Sequence, residues 1–206
     1  MPFDTRNPRL YLASRSPRRR ELLTQMGIQF DTLAFRAPPR QDDVDETAHE
    51  GETPLVYVER VARLKAEHGW RTVEMRRLMP QIVLAADTTL EFDGAIIGKP
   101  VDAADARAIL RRLSGRTHQV LTAVAVAFEG RIESATSISD VTFGHLTDGD
   151  IRRYVASGEP MDKAGAYGIQ GRAGVFVEHL SGSYSGVMGL PLHETGVLLK
   201  RFGFPL

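Results

Sequence analysis

The chain has 206 residues, 42% hydrophobic and 25% charged, enough to bury a core and too apolar for a disordered segment. Lysine plus arginine and aspartate plus glutamate both number 26, so no basic surplus points to broad nucleic-acid binding, and no stable nucleic-acid partner is expected. Cysteine is absent, which excludes disulfides, thiolate catalysis and cysteine-based zinc sites; the first residues lack a signal-peptide core and the longest apolar run, 123–128, is too short to cross a bilayer, so a cytoplasmic protein with no membrane partner is expected.

The first element is an apolar strand over 10–13, broken by Ser14 to Ser16. Pro17 then suits a first helical residue, with Ser16 as its cap, Leu22, Leu23 and Met26 at helical spacing and Gly27 as the stop. The hydroxyls of Ser14 and Ser16, the helix N-terminus and Arg15, Arg18, Arg19 and Arg20 converge there as a phosphate site; a capped surface helix with solvated arginines is the bland alternative. A second strand is read over 29–35. After it comes a loop with Pro38 and Pro39, then an acidic segment holding Asp42, Asp43, Asp45, Glu46, Glu50 and Glu52, suited to a divalent cation or simply solvated.

Thr53 and Pro54 repeat the cap-plus-proline signal and open a helix carrying Val58, Val61, Ala62, Lys65 and Ala66, which Gly69 is expected to close; a linker over 70–81 follows. Residues 82–86 form a continuous apolar run, a buried strand with Asp87 at its carboxyl end, where open α/β sheets bind ligands. A hairpin turning at Asp93-Gly94 leads to Lys99-Pro100, and Asp102 caps a helix with Ile109, Leu110 and Leu113 inward. Strands over 120–128 and 132–143 come next, then a helix opened by the capping pair Thr147 and Asp150. Between 165 and 189 lie seven glycines with a strand-like 175–177, and a last helix spans 192–202.

Three motif matches fail. Gly94 to Pro100 has three residues between its glycines where a P-loop has four, the glycines at 165, 168, 171 and 174 miss the dinucleotide spacing, and His193-Glu194 lacks the second histidine of a zincin helix. What remains is a serine/arginine helix start, carboxylates, the lysines Lys99 and Lys163, and Gln170, whose amide offers both a donor and an acceptor to a base edge. This is an inventory for metal-assisted cleavage of a nucleoside polyphosphate.

The chain resembles the Maf family of nucleoside triphosphate pyrophosphatases over nearly its whole length. The resemblance rests on residues 12–23 (LASRSPRRRELL), Asp45-Glu46-Thr47, Ala85-Ala86-Asp87-Thr88, Ile97-Gly98-Lys99-Pro100, residues 113–118 (LSGRTH) and residues 162–171 (DKAGAYGIQG). The last of these is similar to the subgroup acting on dTTP and UTP; the 7-methyl-GTP subgroup differs at Lys163 and Gln170. The resemblance implies an elongated single α/β domain over 1–206, ITPase-like, with a central mixed sheet flanked by helices, a cleft between two lobes, and a homodimer. It implies hydrolysis between the α and β phosphates, and a house-cleaning role on modified pyrimidine nucleotides is one extension. By that likeness Asp87 is the proton acceptor, Glu46 and Asp87 hold Mg²⁺ or Mn²⁺, and Arg18, Thr88 and Gln170 set base preference. Ser14, Ser16, Arg19, Lys65, Lys99 and Lys163 are the implied phosphate or cleft contacts. Competing expectations are a nucleotide-binding regulator of septum formation with secondary hydrolysis, and a 7-methyl-GTP pyrophosphatase.

Overall fold

The computed structural model describes residues 7–33 and 44–206. Phe35, Pro38, Pro39, Asp42 and Asp43 lie outside the described residues. In chain order the strands are β1 (Arg9–Leu12), β2 (Gln29–Thr32), β3 (Val83–Phe92), β4 (Ala95–Ile97), β5 (Thr117–Phe128), β6 (Arg131–Phe143) and β7 (Val177–Ser181). The helices are α1 (Pro17–Gln25), α2 (Pro54–Met75), α3 (Ala103–Leu113), α4 (Asp148–Ala156), α5 (Tyr184–Met188) and α6 (Leu192–Arg201). Among the described residues the strands form one seven-stranded sheet of order β2-β1-β3-β5-β6-β7, with β4 also paired to β3. It is mixed: β1 runs parallel to β2 and β3, and the pairs from β3 to β7 are antiparallel.

Two apolar clusters share this sheet. The first gathers β1, α1, α2, α6 and residues 83–86 of β3, and the second gathers α3, α4, Leu90 and Phe92 of β3, and Phe143 at the end of β6. Asp87, Thr88 and Thr89 fall between them. A polar row follows from the register, because Thr88 lies opposite Thr122 and Thr122 opposite Ser137. Each hydroxyl must find a partner when buried: Thr88 Oγ1 and Thr122 Oγ1 are 2.9 Å apart, and the Thr122 hydroxyl donates to the Gly186 carbonyl.

Three expectations are corrected. Asp87 is not at a strand's end but is the fifth residue of the ten in β3. Its two threonines are β-branched and pair with Thr122 and Leu121, which outweighs the turn preference of aspartate. Helix α2 does not stop at Gly69 but continues to Met75, and Gly69 is there because a Cβ would sit 2.7 Å from Val83 Cγ1. The expected strand over 175–177 begins only at Val177, after a 3₁₀ turn at Arg172–Phe176.

Candidate active site

The cleft begins as a gap in the sheet. Strand β1 pairs with β3 as far as Leu84 and β4 starts pairing at Leu90, so among the described residues the same edge of β3 lacks a strand neighbour in between. The loop after β1 and the start of α1 fill one side of this gap. A cleft of about 730 Å³ opens there, a size suited to a small organic ligand. The cleft therefore lies beyond the carboxyl end of β1 and beside the middle of β3.

Asp87 is buried in the cleft floor, 7% exposed, and its Oδ1 lies 2.8 Å from Lys65 Nζ. The same ammonium is 3.0 Å from Glu46 Oε1. One lysine thus joins the two carboxylates. Helix α2 supplies it because Lys65 follows Tyr57 and Val61 at helical spacing, and that helix also holds the acidic segment down. Arg60 donates to Glu52 at 2.6 Å and 2.8 Å and to the carbonyls of Asp45 and Thr47; Tyr57 Oη donates to the Glu46 carbonyl. The Arg60 guanidinium lowers the Glu52 carboxyl to about 2. Burial, followed by the charges of Asp87 and Glu46, pushes the Tyr57 hydroxyl up to about 12. Asp45 and Glu46 differ in orientation: the Asp45 carboxylate turns back to accept from Thr47 N–H, and Glu46 reaches the lysine.

On the opposite wall, Ser14, Arg15, Ser16, Arg18 and Arg19 line the cleft. Ser16 occupies the helix cap position without a side-chain cap bond, and its N–H donates to Ser14 Oγ. Arg20, expected to join the other arginines, is exposed and does not line the cleft. Arg19 is occupied by the protein itself. Its Nε donates to the Gly189 carbonyl at 2.7 Å, Nη1 to Ser14 Oγ and Nη2 to Thr88 Oγ1, so it fastens the β1 loop, β3 and the end of α5 together. Enclosure lowers its pKa, against the opposing effect of the Asp87 charge.

The third wall is the glycine-rich segment. Lys163 Nζ donates to the Glu159 carbonyl at 2.5 Å and to Asp162 Oδ1, Arg18 lies 4.0 Å from Asp162, and Gln170 is exposed toward the cleft. Lys99 is exposed on the rim, where Gly165 N–H donates to the Gly98 carbonyl and ties the two loops. All the candidate residues from the sequence, Ser14, Ser16, Arg18, Arg19, Glu46, Lys65, Asp87, Thr88, Lys99, Lys163 and Gln170, line this one cleft. Sequence reasoning missed Tyr57, His68 and Tyr167. The first two could have been found from their helical spacing to Lys65. Tyr167 is buried, and its hydroxyl is 2.7 Å from His118 Nε2 of β5, a pairing no local signal announces.

Two carboxylates already arranged around one cation, with oxygen donors only, suit a hard divalent ion. Among the described residues no group of three or more His, Cys, Asp or Glu could enclose one, so the two carboxylates would hold the ion together with other oxygens such as those of a bound phosphate or water.

Fold and cleft together define a mixed α/β protein with a charged cleft between two apolar cores. Residues 9–202 match the family described as Maf-like protein, and the chain belongs to that family. It is 67% identical over 197 residues to the dTTP/UTP pyrophosphatase of Dechloromonas aromatica, covering 95% of this chain and 98% of the relative. It is 64% identical to the enzyme of that name from Aromatoleum aromaticum, over 96% and 97% of the two chains, and 56% identical to that of Chromobacterium violaceum, over 99% and 100%. The structure of the Staphylococcus aureus Ham1 protein superposes with a TM-score of 0.50 at 16% identity, covering 94% of this chain and 97% of the other, a likeness of fold.

Proposed function

We propose that this protein hydrolyses dTTP and UTP to the nucleoside monophosphate and pyrophosphate. One observation carries the reading: a buried carboxylate, Asp87, faces Glu46 across a shared ammonium in a cleft whose other walls present arginines, lysines and an amide. The relatives named dTTP/UTP pyrophosphatase support the base assignment.

In this reading Asp87 takes the proton of the attacking water, and the pairing of β3 with β5 along its other edge, where Asp87 lies opposite Ala123, keeps that oxygen in place. Lys65 holds Asp87 and Glu46 at a set spacing and offsets their charge, so an anionic triphosphate can approach. Glu46 and Asp87 would hold Mg²⁺ or Mn²⁺, which supplies neutralisation of the phosphate oxygens when bound. Lys99 and Lys163 face the phosphates, while Ser14 and Arg19 act mainly by fixing the β1 loop. Ser16 completes the helix start against the phosphates. Arg18, Thr88 and Gln170 set the base preference, Thr88 from a hydroxyl already fastened to Arg19 and Thr122. The substrate is drawn from a cytoplasmic nucleotide pool, and the protein acts as a homodimer, which sedimentation velocity measures directly.

The deciding experiment is pyrophosphate release from dTTP, UTP, CTP, GTP and 7-methyl-GTP with Mg²⁺ or Mn²⁺, in wild type and Asp87→Asn. Selective hydrolysis of dTTP and UTP, reduced at least about a thousandfold by the substitution, is the expected result. Tight nucleotide binding without hydrolysis in wild type would replace the enzyme with a binding regulator.

A further inference from the structure

Gln170 sits in a tight turn beside Ile169, which is buried in the second core. Gly168 and Gly171 flank Ile169 and Gln170, closed by a 3.0 Å bond from Gly171 N–H to the Gly168 carbonyl, and glycines at both corners have the most backbone freedom to lose. A hydrogen-bonding side chain discriminates between bases only if its amide stays in place. Part of that order is the anchoring of the turn's two ends.

Two residues supply it. Tyr154 of α4 is 4% exposed, packed edge-on against Phe176, and its hydroxyl oxygen accepts from Gly168 N–H at 3.3 Å. The same hydroxyl donates to Glu159 Oε1 at 3.0 Å, and Glu159 Oε2 accepts from Arg172 N–H at 3.1 Å. The carboxylate lies so close against Gly171 that a Cβ there would fall 2.1 Å from Oε1. Both ends of the segment 168–172 are thereby pinned to one tyrosine–carboxylate pair, with Gln170 between the pins. The Glu159 negative charge adds to burial in raising the Tyr154 hydroxyl above its ordinary value, so the tyrosine stays a donor.

We infer that Glu159, backed by Tyr154, is a positioning residue for base discrimination: it touches no substrate and acts by fixing the glycine turn that presents Gln170. This rests on the reading of Gln170 as a base contact. Removing the carboxylate releases Arg172 N–H and leaves the Tyr154 hydroxyl without its acceptor, and the amide then samples positions an ångström or more apart. Displacement on that scale costs about tenfold to a hundredfold in rate.

The test is kcat/KM for dTTP, UTP, CTP and GTP in wild type, Glu159→Ala, Glu159→Gln, Tyr154→Phe, Gln170→Ala and the Glu159→Ala/Gln170→Ala double variant. Glu159→Ala is expected to lower the dTTP-to-CTP ratio about tenfold or more, toward that of Gln170→Ala, with CTP and GTP rates changed less than about threefold. Glu159→Gln keeps an acceptor oxygen and is expected to retain most of the ratio. The double variant is expected to lose no more selectivity than Gln170→Ala alone, because the two residues act as one unit. If Gln170→Ala abolishes selectivity and Glu159→Ala does not, the inference falls and the base reading stands. If Gln170→Ala itself leaves the ratio unchanged, the base reading falls, and the inference with it. An equal fall for all nucleotides overturns the positioning role. Should Glu159→Ala not fold, Tyr154→Phe decides, since it cuts the Gly168 pin, and an unchanged ratio there refutes the inference as well.

Discussion

Acidification provides a quantitative test of how the second core is built beside the cleft. His118 is 2% exposed, with its ring edge-on to Phe143 and Tyr167 and its Nε2 at the Tyr167 hydroxyl, while its buried Nδ1 has no hydrogen-bond partner among the described residues. A second N–H on the ring would point at nothing, and burial lowers the imidazole from 6.5 to about 4. The folded value lies below the unfolded one, so the unfolded chain binds the extra proton. Stability due to the neutral ring is fully present above about 6.5 and is lost as the pH falls from there toward about 4. A gap of about 2.5 pH units corresponds to about 3 kcal/mol in all, of which about 2 kcal/mol is gone by about pH 5. In a chain of this length that lowers the melting midpoint by about 4–8 °C. Urea unfolding of wild type and His118→Asn at intervals from pH 7.5 to 5 reads the slope directly. The variant is less stable at neutral pH but is expected to be flatter with pH. Parallel curves for the two proteins, or an imidazole that titrates near 6.5 by NMR, would refute the account of a ring buried in its neutral form.

Replacing Lys65 by methionine leaves two carboxylates facing each other across the cleft, and we expect kcat/KM to fall at least about a hundredfold and stability by about 3 kcal/mol, read by kinetics and by urea titration. Chelation of divalent ions is expected to abolish hydrolysis reversibly yet move the melting midpoint by less than about 2 °C, because the lysine already neutralises the carboxylates; a large drop would make the ion structural. Gly165→Ala is expected to cost about 2–4 kcal/mol in chemical denaturation, since a methyl group would fall 2.4 Å from Leu90 Cδ1 on a backbone at φ +70°.

Much of the architecture was legible locally. The Thr147 and Asp150 capping box forms as read, Pro17 and Pro54 open α1 and α2, and the turn at Asp93-Gly94 joins β3 to β4. These signals act over two to four residues, and a short polar side chain or a fixed φ expresses them in any context. The misreadings share a different cause. Gly69 reads locally as a stop because glycine commonly follows the last turn of a helix, whereas the contact with Val83 that requires it belongs to another element. Asp87 reads as a strand end because the apolar run 82–86 stops before it, whereas the pairing with β5 carries the strand straight through it.

The sequence by itself determined many of the parts: where α1 to α4 begin, the charges available, and the family to which residues 9–202 belong. Only the tertiary structure decided their assignments. It turned Glu46 and not Asp45 toward Lys65, committed Arg19 to Gly189 across 170 positions of chain, and clamped the Gln170 turn between Tyr154 and Glu159. The physical reason is one of range. Capping and periodicity are settled among neighbours in sequence, but the partner of a buried charge is set by whichever distant group folding brings within about 3 Å, and a buried polar atom left without one is costly enough to fix the choice.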